Sequence, residues 1–165
     1  MKFSHPLMQS NFTKSDIIAA TKILRKKNII LTQSKQVQEF EKKWSKWLGV
    51  KYTVFVNSGS SANFLTMAAL KLLYGKGEIV VPTLTWVSDI VSVIQNNFKP
   101  VFVDINPKNL CMSESQIIKK VNNKTLAVFM THVQGFNGLS NKLISFLKKR
   151  KILLIEDVCE SHGAT

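Results

Sequence analysis

From Lys51 onward, five short apolar runs, YTVFV, EIVVP, PVFVDI, TLAVFMT and KILLIED, are separated by SANFLTMAALKLL, VSDIVSVIQ, SQIIKKV and NKLISFLKK, each with helical periodicity. Runs this apolar, without polar alternation, suit strands covered on both faces, and helix-length crossovers make such strands parallel. The pattern predicts an α/β fold: a mostly parallel sheet with helices on both faces. Ligands of such sheets bind outside the carboxyl ends of the strands, so the residues that follow each strand carry the functional interest.

Residues 1–50 read differently, as a helical arm ahead of a sheet domain spanning 51–165. Thr13 and Asp16 are spaced as an N-cap with an acid at the third helical position, and Ile17, Ala20 and Leu24 form one stripe. Ser34 is positioned to cap a second helix carrying Val37, Phe40, Trp44, Trp47 and Leu48, with Gly49 as its stop. No apolar run approaches the roughly 20 residues of a membrane span, and the start MKFSHPLMQSNFTKSD lacks the apolar middle of a signal peptide. The expectation is a cytoplasmic protein without a membrane partner. Cys111 and Cys159 have no framework or metal spacing and are expected as free thiols, with no metal site.

The 23 Lys+Arg against 10 Asp+Glu give a formal charge of +13, which permits nucleic acid, anionic lipid or a phosphorylated small molecule as partner. The basic residues are dispersed and several close helices, as Lys22 to Lys27 and Lys148 to Lys151 do, where the helix dipole favours them. They read as solvated surface, and nucleic acid is not expected.

Four strand ends carry chemistry. After YTVFV, Gly59 permits a tight turn, and the Ser60 and Ser61 N–H groups and hydroxyls at a helix start suit either a phosphate or an ordinary N-cap. After EIVVP, Trp86 either stacks on a flat ring or packs its helix onto the sheet. His132, after TLAVFMT, is a candidate polar site residue or a hydrogen-bonded structural one. After the last run come Glu156 and Asp157, which alternate in direction so that only one faces a ligand; such a carboxylate can hold a ligand nitrogen protonated. A phosphate grip, a ring-stacking indole and a nitrogen-facing acid together describe pyridoxal 5'-phosphate.

In "VNSGSSANFL", "VPTLTWVSDIVSVIQNNFKPVFVDI", "THVQGFNG" and "LLIEDVCESHGA", taken in order, the chain resembles the N-terminal part of the DegT/DnrJ family of pyridoxal-phosphate-dependent nucleotide-sugar aminotransferases, of the aspartate aminotransferase fold type. The resemblance implies an incomplete large domain, with the C-terminal small domain absent from this sequence. It assigns Gly59, Ser60 and Ser61 to the cofactor phosphate, Trp86 to the ring face and Asp157 to the ring nitrogen. Glu160 stands beside the cofactor's 3-oxygen, where the family commonly has Gln or His; an acid there is similar to the related sugar 3-dehydratases. The Schiff-base lysine, or the histidine that replaces it in dehydratases, is expected beyond Thr165. The implied reaction moves an amino group from a donor such as glutamate to a nucleotide-diphosphate-linked keto-deoxysugar in surface-polysaccharide biosynthesis, in a homodimer when complete. The alternatives are a 3-dehydratase and a non-catalytic fragment or half of a split enzyme.

Overall fold

A computed structural model describes residues 10–164; the first nine residues of the stretch read above for a leader lie outside them. The chain divides into two compact units, one up to Phe55 and one from Val56.

In the first unit, α1 (Lys14–Leu24) opens with the expected capping box: Asp16 N–H donates to Thr13 Oγ1 at 3.3 Å and Thr13 N–H to Asp16 Oδ2 at 2.8 Å. Ser34 occupies the N-cap of α2 (Lys35–Leu48), but its hydroxyl donates to Gln36 Oε1 instead of capping the backbone. Gly49 ends α2 at φ 71°, as its position predicts. On α2, Phe40 stacks on Trp44 at 5.6 Å between ring centroids, and Trp44 leans on Trp47 at 4.9 Å.

The expected first strand, YTVFV, does not form. A strand exists only through a ladder with a neighbour, and this segment has none among the described residues. Thr53 instead takes a hydrogen bond from Ser45 of α2, and Phe55 N–H donates to Glu41 Oε1. Tyr52 and Val54 are left exposed.

The second unit contains the other four predicted strands, β1 (Glu78–Pro82), β2 (Lys99–Val103), β3 (Thr125–Thr131) and β4 (Leu153–Asp157), all parallel in the order β2-β1-β3-β4. Alternation along the strands divides the core in two. Ile79, Val81, Ala127 and Phe129 pack with Met67 of α3 (Gly59–Tyr74) and Val93 of α4 (Val87–Gln95). On the opposite face, Val80, Val128 and Met130 pack with Ile117 of α5 (Glu114–Lys120) and with Leu143 and Leu147 of α6 (Asn141–Arg150). Helices thus cover both faces, as the unbroken apolar runs require. Pro100 sits in β2, an edge of this four-stranded sheet, where a missing N–H costs no ladder bond.

Candidate functional site

After β1 the chain crosses to β2 on one side of it and later returns to β3 on the other. The carboxyl ends of β1 and β3 therefore flank a topological switch point, where open α/β sheets bind ligands. Thr85, just beyond β1, and Thr131, the last residue of β3, meet there, with their Oγ1 atoms 2.6 Å apart.

Asp89, from the first turn of α4, enters the same crevice and has no solvent exposure. Its Oδ2 meets both threonine hydroxyls, that of Thr131 at 2.7 Å, and its Oδ1 accepts from Asn63 Nδ2 at 2.7 Å. Asn63 Nδ2 also lies 3.2 Å from Ser88 Oγ and 3.4 Å from Asp157 Oδ2. Asp157 Oδ1 accepts the Cys159 N–H at 3.1 Å. Burial pushes the Asp89 carboxyl above its ordinary range, against the opposing hydrogen bonds from Thr85 and Thr131. Burial would do the same to Asp157, but hydrogen bonds from Cys159 and Asn63 outweigh it and hold that carboxyl below its ordinary range. Asp157 is the group's anion.

Adjacent residues of β4 point opposite ways, as pleating demands. Asp157 follows Ile155 toward the α3 and α4 face, while Glu156 follows Leu154 toward α5 and α6. His132 shares the face of Glu156: it is buried, its Nε2 lies 2.9 Å from Glu156 Oε2, and Gly138 N–H donates to its Nδ1. Together these two residues line a separate cleft with Gly135 and Asn137. The structure therefore holds His132 as a hydrogen-bonded residue on the face away from Asp157.

Gly59 lies inside the first turn of α3 with no positive φ, so the tight turn expected of it is not what the fold requires. A Cβ at this position would meet no protein atom within 4 Å. Ser58 caps the helix through the Ser61 N–H, and the Ser61 hydroxyl donates to Asn57 Oδ1 at 2.7 Å. The Ser61 amide is thereby engaged. The Gly59 and Ser60 N–H groups, which as the first two of a helix have no intrahelical acceptor, head α3 at the exposed edge. Trp86 is the N-cap of α4 and is 72% exposed, so it does not pack its helix onto the sheet. It borders an open cleft of about 210 Å³ with Thr85, Thr131, Cys159 and Glu160. Glu160 Oε2 accepts the Gln134 N–H, tying the segment after β4 to the turn after β3.

The switch point thus brings together Trp86, Asp157 and Glu160, with the open turn of α3 contributed by the helix that also carries Asn63. Asn63, whose amide reaches Asp157, and Asp89, which accepts from that amide and meets Thr85 and Thr131, are not singled out from sequence. Asp89 reads there as an ordinary acid favoured in a helix's first turn; its distance of four residues from Thr85 was the available signal. Among the described residues, no group of three or more Cys, His, Asp or Glu is placed to hold a metal, and no helix is long and apolar enough to cross a membrane. Cys111 is buried and Cys159 exposed, both unpaired as thiols.

Comparison with known proteins gives the family. The chain is 32% identical to a GDP-4-keto-6-deoxy-D-mannose 3-dehydratase of Escherichia coli O55:H7, over 98% of its own length and 42% of that protein's. It is 31% identical to a GDP-perosamine synthase of E. coli O157:H7, over 82% of its length and 37% of that protein's. A solved structure of the E. coli dehydratase with bound hydrated pyridoxal phosphate superposes with a TM-score of 0.89 at 32% identity, covering 98% of this chain and 42% of that one. The chain therefore spans about two fifths of the length of these relatives. A family model described as the DegT/DnrJ/EryC1/StrS aminotransferase family matches residues 11–165, and the chain belongs to that family.

Proposed function

We propose that this chain is the cofactor-recognising part of a pyridoxal-phosphate-dependent enzyme acting on a GDP-linked 4-keto-6-deoxysugar, in the manner of a 3-dehydratase, within surface-polysaccharide synthesis. The observation that carries the reading is Asp157, a carboxylate kept ionised at the carboxyl edge of the sheet by the Cys159 N–H and Asn63. Likeness to the dehydratases extends over nearly the whole chain, which favours this alternative over the transaminase that the family resemblance first suggests.

The residues present fit the cofactor. The empty space where a Cβ of Gly59 would lie, beside the Gly59 and Ser60 N–H groups, suits a phosphate at the positive end of a 16-residue helix. The exposed indole of Trp86 offers a face to a ring and shields it from water. Asp157 would hold a ring nitrogen protonated, and Glu160, anchored by Gln134, lines the cleft beside the indole. When bound, the cofactor supplies an electron sink for negative charge on a substrate carbon. No lysine of this chain is assigned a role in moving protons.

A second reading, an aminotransferase using a donor such as glutamate, is favoured by the GDP-perosamine synthases among the relatives. The first test is a spectrophotometric titration of the chain with pyridoxal phosphate: saturable binding that Asp157→Asn weakens is expected, and no binding overturns the proposal. Mass spectrometry of a GDP-linked 4-keto-6-deoxysugar incubated with the protein, cofactor and glutamate separates the two reactions. Loss of a hydroxyl marks the dehydratase, and exchange of the keto oxygen for an amino group marks the transaminase.

A further inference from the structure

Asp89 Oδ2, Thr85 Oγ1 and Thr131 Oγ1 lie within hydrogen-bond distance of one another and form a closed triangle. Each threonine hydroxyl has one proton to donate. With both hydroxyls donating to Asp89, the Thr85–Thr131 contact has no proton. A ring in which Asp89 donates to one threonine, that threonine to the other and the second back to Asp89 fills all three sides, and it needs a proton on Asp89. The other oxygen, Oδ1, already accepts from Asn63, which places that proton on Oδ2. Asn63 Nδ2 in turn spreads two protons over three acceptors, Asp89 Oδ1, Ser88 Oγ and Asp157 Oδ2. A single neutral amide does not compensate two carboxylates, and two acids sharing a site retain one proton between them.

Among the described residues no ion pair supplies a compensating charge: Asp89 takes part in none of the salt bridges. The titratable groups acting on it are Asp157 of β4 and, in the segment beyond, Cys159. Partial desolvation of the otherwise exposed Cys159 thiol first, and the neighbouring Asp157 next, push it up to about 11, so it stays neutral. A negative charge in the first turn of a surface helix is favoured by the helix dipole, but a side chain with no solvent exposure pays for ionisation in lost hydration.

We propose that Asp89 keeps its carboxyl proton in the folded protein and acts as a positioning residue, closing the triangle with Thr85 and Thr131 so that the Asp89–Asp157 pair turns one negative charge toward the ligand edge. The relevance of that single charge to a protonated ring nitrogen rests on the cofactor reading; the location of the proton does not. A carboxyl raised in the folded state stabilises the fold fully below its unfolded value, about 3.9 for Asp, and that contribution is lost as pH rises through the folded value.

The test is a carboxyl-carbon NMR titration of the ligand-free chain, with Asp89 identified by the resonance missing in Asp89→Asn. One carboxyl is expected to titrate above the surface carboxyls, and to titrate lower in Asp157→Asn, where the neighbouring charge is gone. Asp89→Asn is also expected to flatten the fall in unfolding free energy as that carboxyl titrates. No carboxyl titrating late in the unmutated chain overturns the proposal without need of any variant, and so does a late carboxyl that Asp157→Asn leaves unmoved. Pyridoxal phosphate binding is measured separately on the same samples: its absence alongside a late-titrating Asp89 removes the cofactor reading and leaves the proton assignment standing.

Discussion

Glu156 and Asp157 are consecutive residues at the end of one strand, carry the same functional group, and have opposite surroundings. Glu156 is exposed and closes onto a single partner, the buried His132 at 2.9 Å. Asp157 is half-buried and takes an N–H from its own loop and an amide proton from α3, with a second carboxyl close behind. The first acid is taken up by a hydrogen bond to a buried protein side chain. The second is stabilised as an anion with no ion pair among the described residues, which leaves its charge available to a ligand. The pleat makes the difference, because it delivers one acid to the face covered by α5 and α6 and the other to the switch point.

The largest effects are expected where that division is deepest. Phe129 and Met130 are neighbours in β3, both essentially without solvent exposure, and each anchors one face. Phe129→Ala should cost about 3–5 kcal/mol and Met130→Ala about 2–5 kcal/mol, read by denaturant unfolding. The faces separate in the residual function. Conditions that keep both variants folded should show Phe129→Ala, which loosens the Asp157 side, weakening pyridoxal phosphate binding more than Met130→Ala does. Equal weakening would mean that the two faces do not insulate the two acids.

A sharper comparison changes the acids themselves. A hydrogen bond to a charged group contributes about 1.5–3 kcal/mol, so Asp157→Asn should weaken pyridoxal phosphate binding by about tenfold to hundredfold with little change in structure. Glu156→Gln should leave that affinity unchanged and change stability by about 1 kcal/mol or less, because a glutamine oxygen can still accept the hydrogen bond from His132 Nε2. Reversed results would move the ligand to the cleft that His132 and Glu156 line.

Much of this arrangement was legible in the chain because it depends on short-range rules. The capping box at Thr13 and Asp16, the stop at Gly49, four of the strands and the opposed directions of Glu156 and Asp157 follow from periodicity and local hydrogen bonding. YTVFV has the β propensity of a strand and forms none, because propensity is a preference whereas a strand is a relation to a neighbour. The two alternatives for Trp86 stay open in the sequence for a related reason: an indole at a helix start goes inward or outward according to what the crevice beside it already holds. Here Asp89, Thr85 and Thr131 occupy that crevice. Those residues stayed unseen because their meeting joins segments 42 and 46 residues apart, and no single stretch of sequence carries it.

The smallest expected change separates fold from ligand most cleanly. Gly59 is helical, without positive φ, and a Cβ there meets no protein atom within 4 Å. Gly59→Ala therefore removes only unfolded-state freedom and should stabilise the ligand-free chain by about 0.4–1 kcal/mol, read as a raised midpoint in urea. The same methyl would stand beside the two amides proposed to hold a phosphate, so pyridoxal phosphate binding should weaken in the variant that unfolds later. Asp157→Asn attacks the ring end of the ligand and Gly59→Ala the phosphate end, so free phosphate as competitor should lose potency against Gly59→Ala and keep it against Asp157→Asn. A stabilised variant with unchanged affinity would place the phosphate elsewhere and leave Asp157 as the sole anchor of the site.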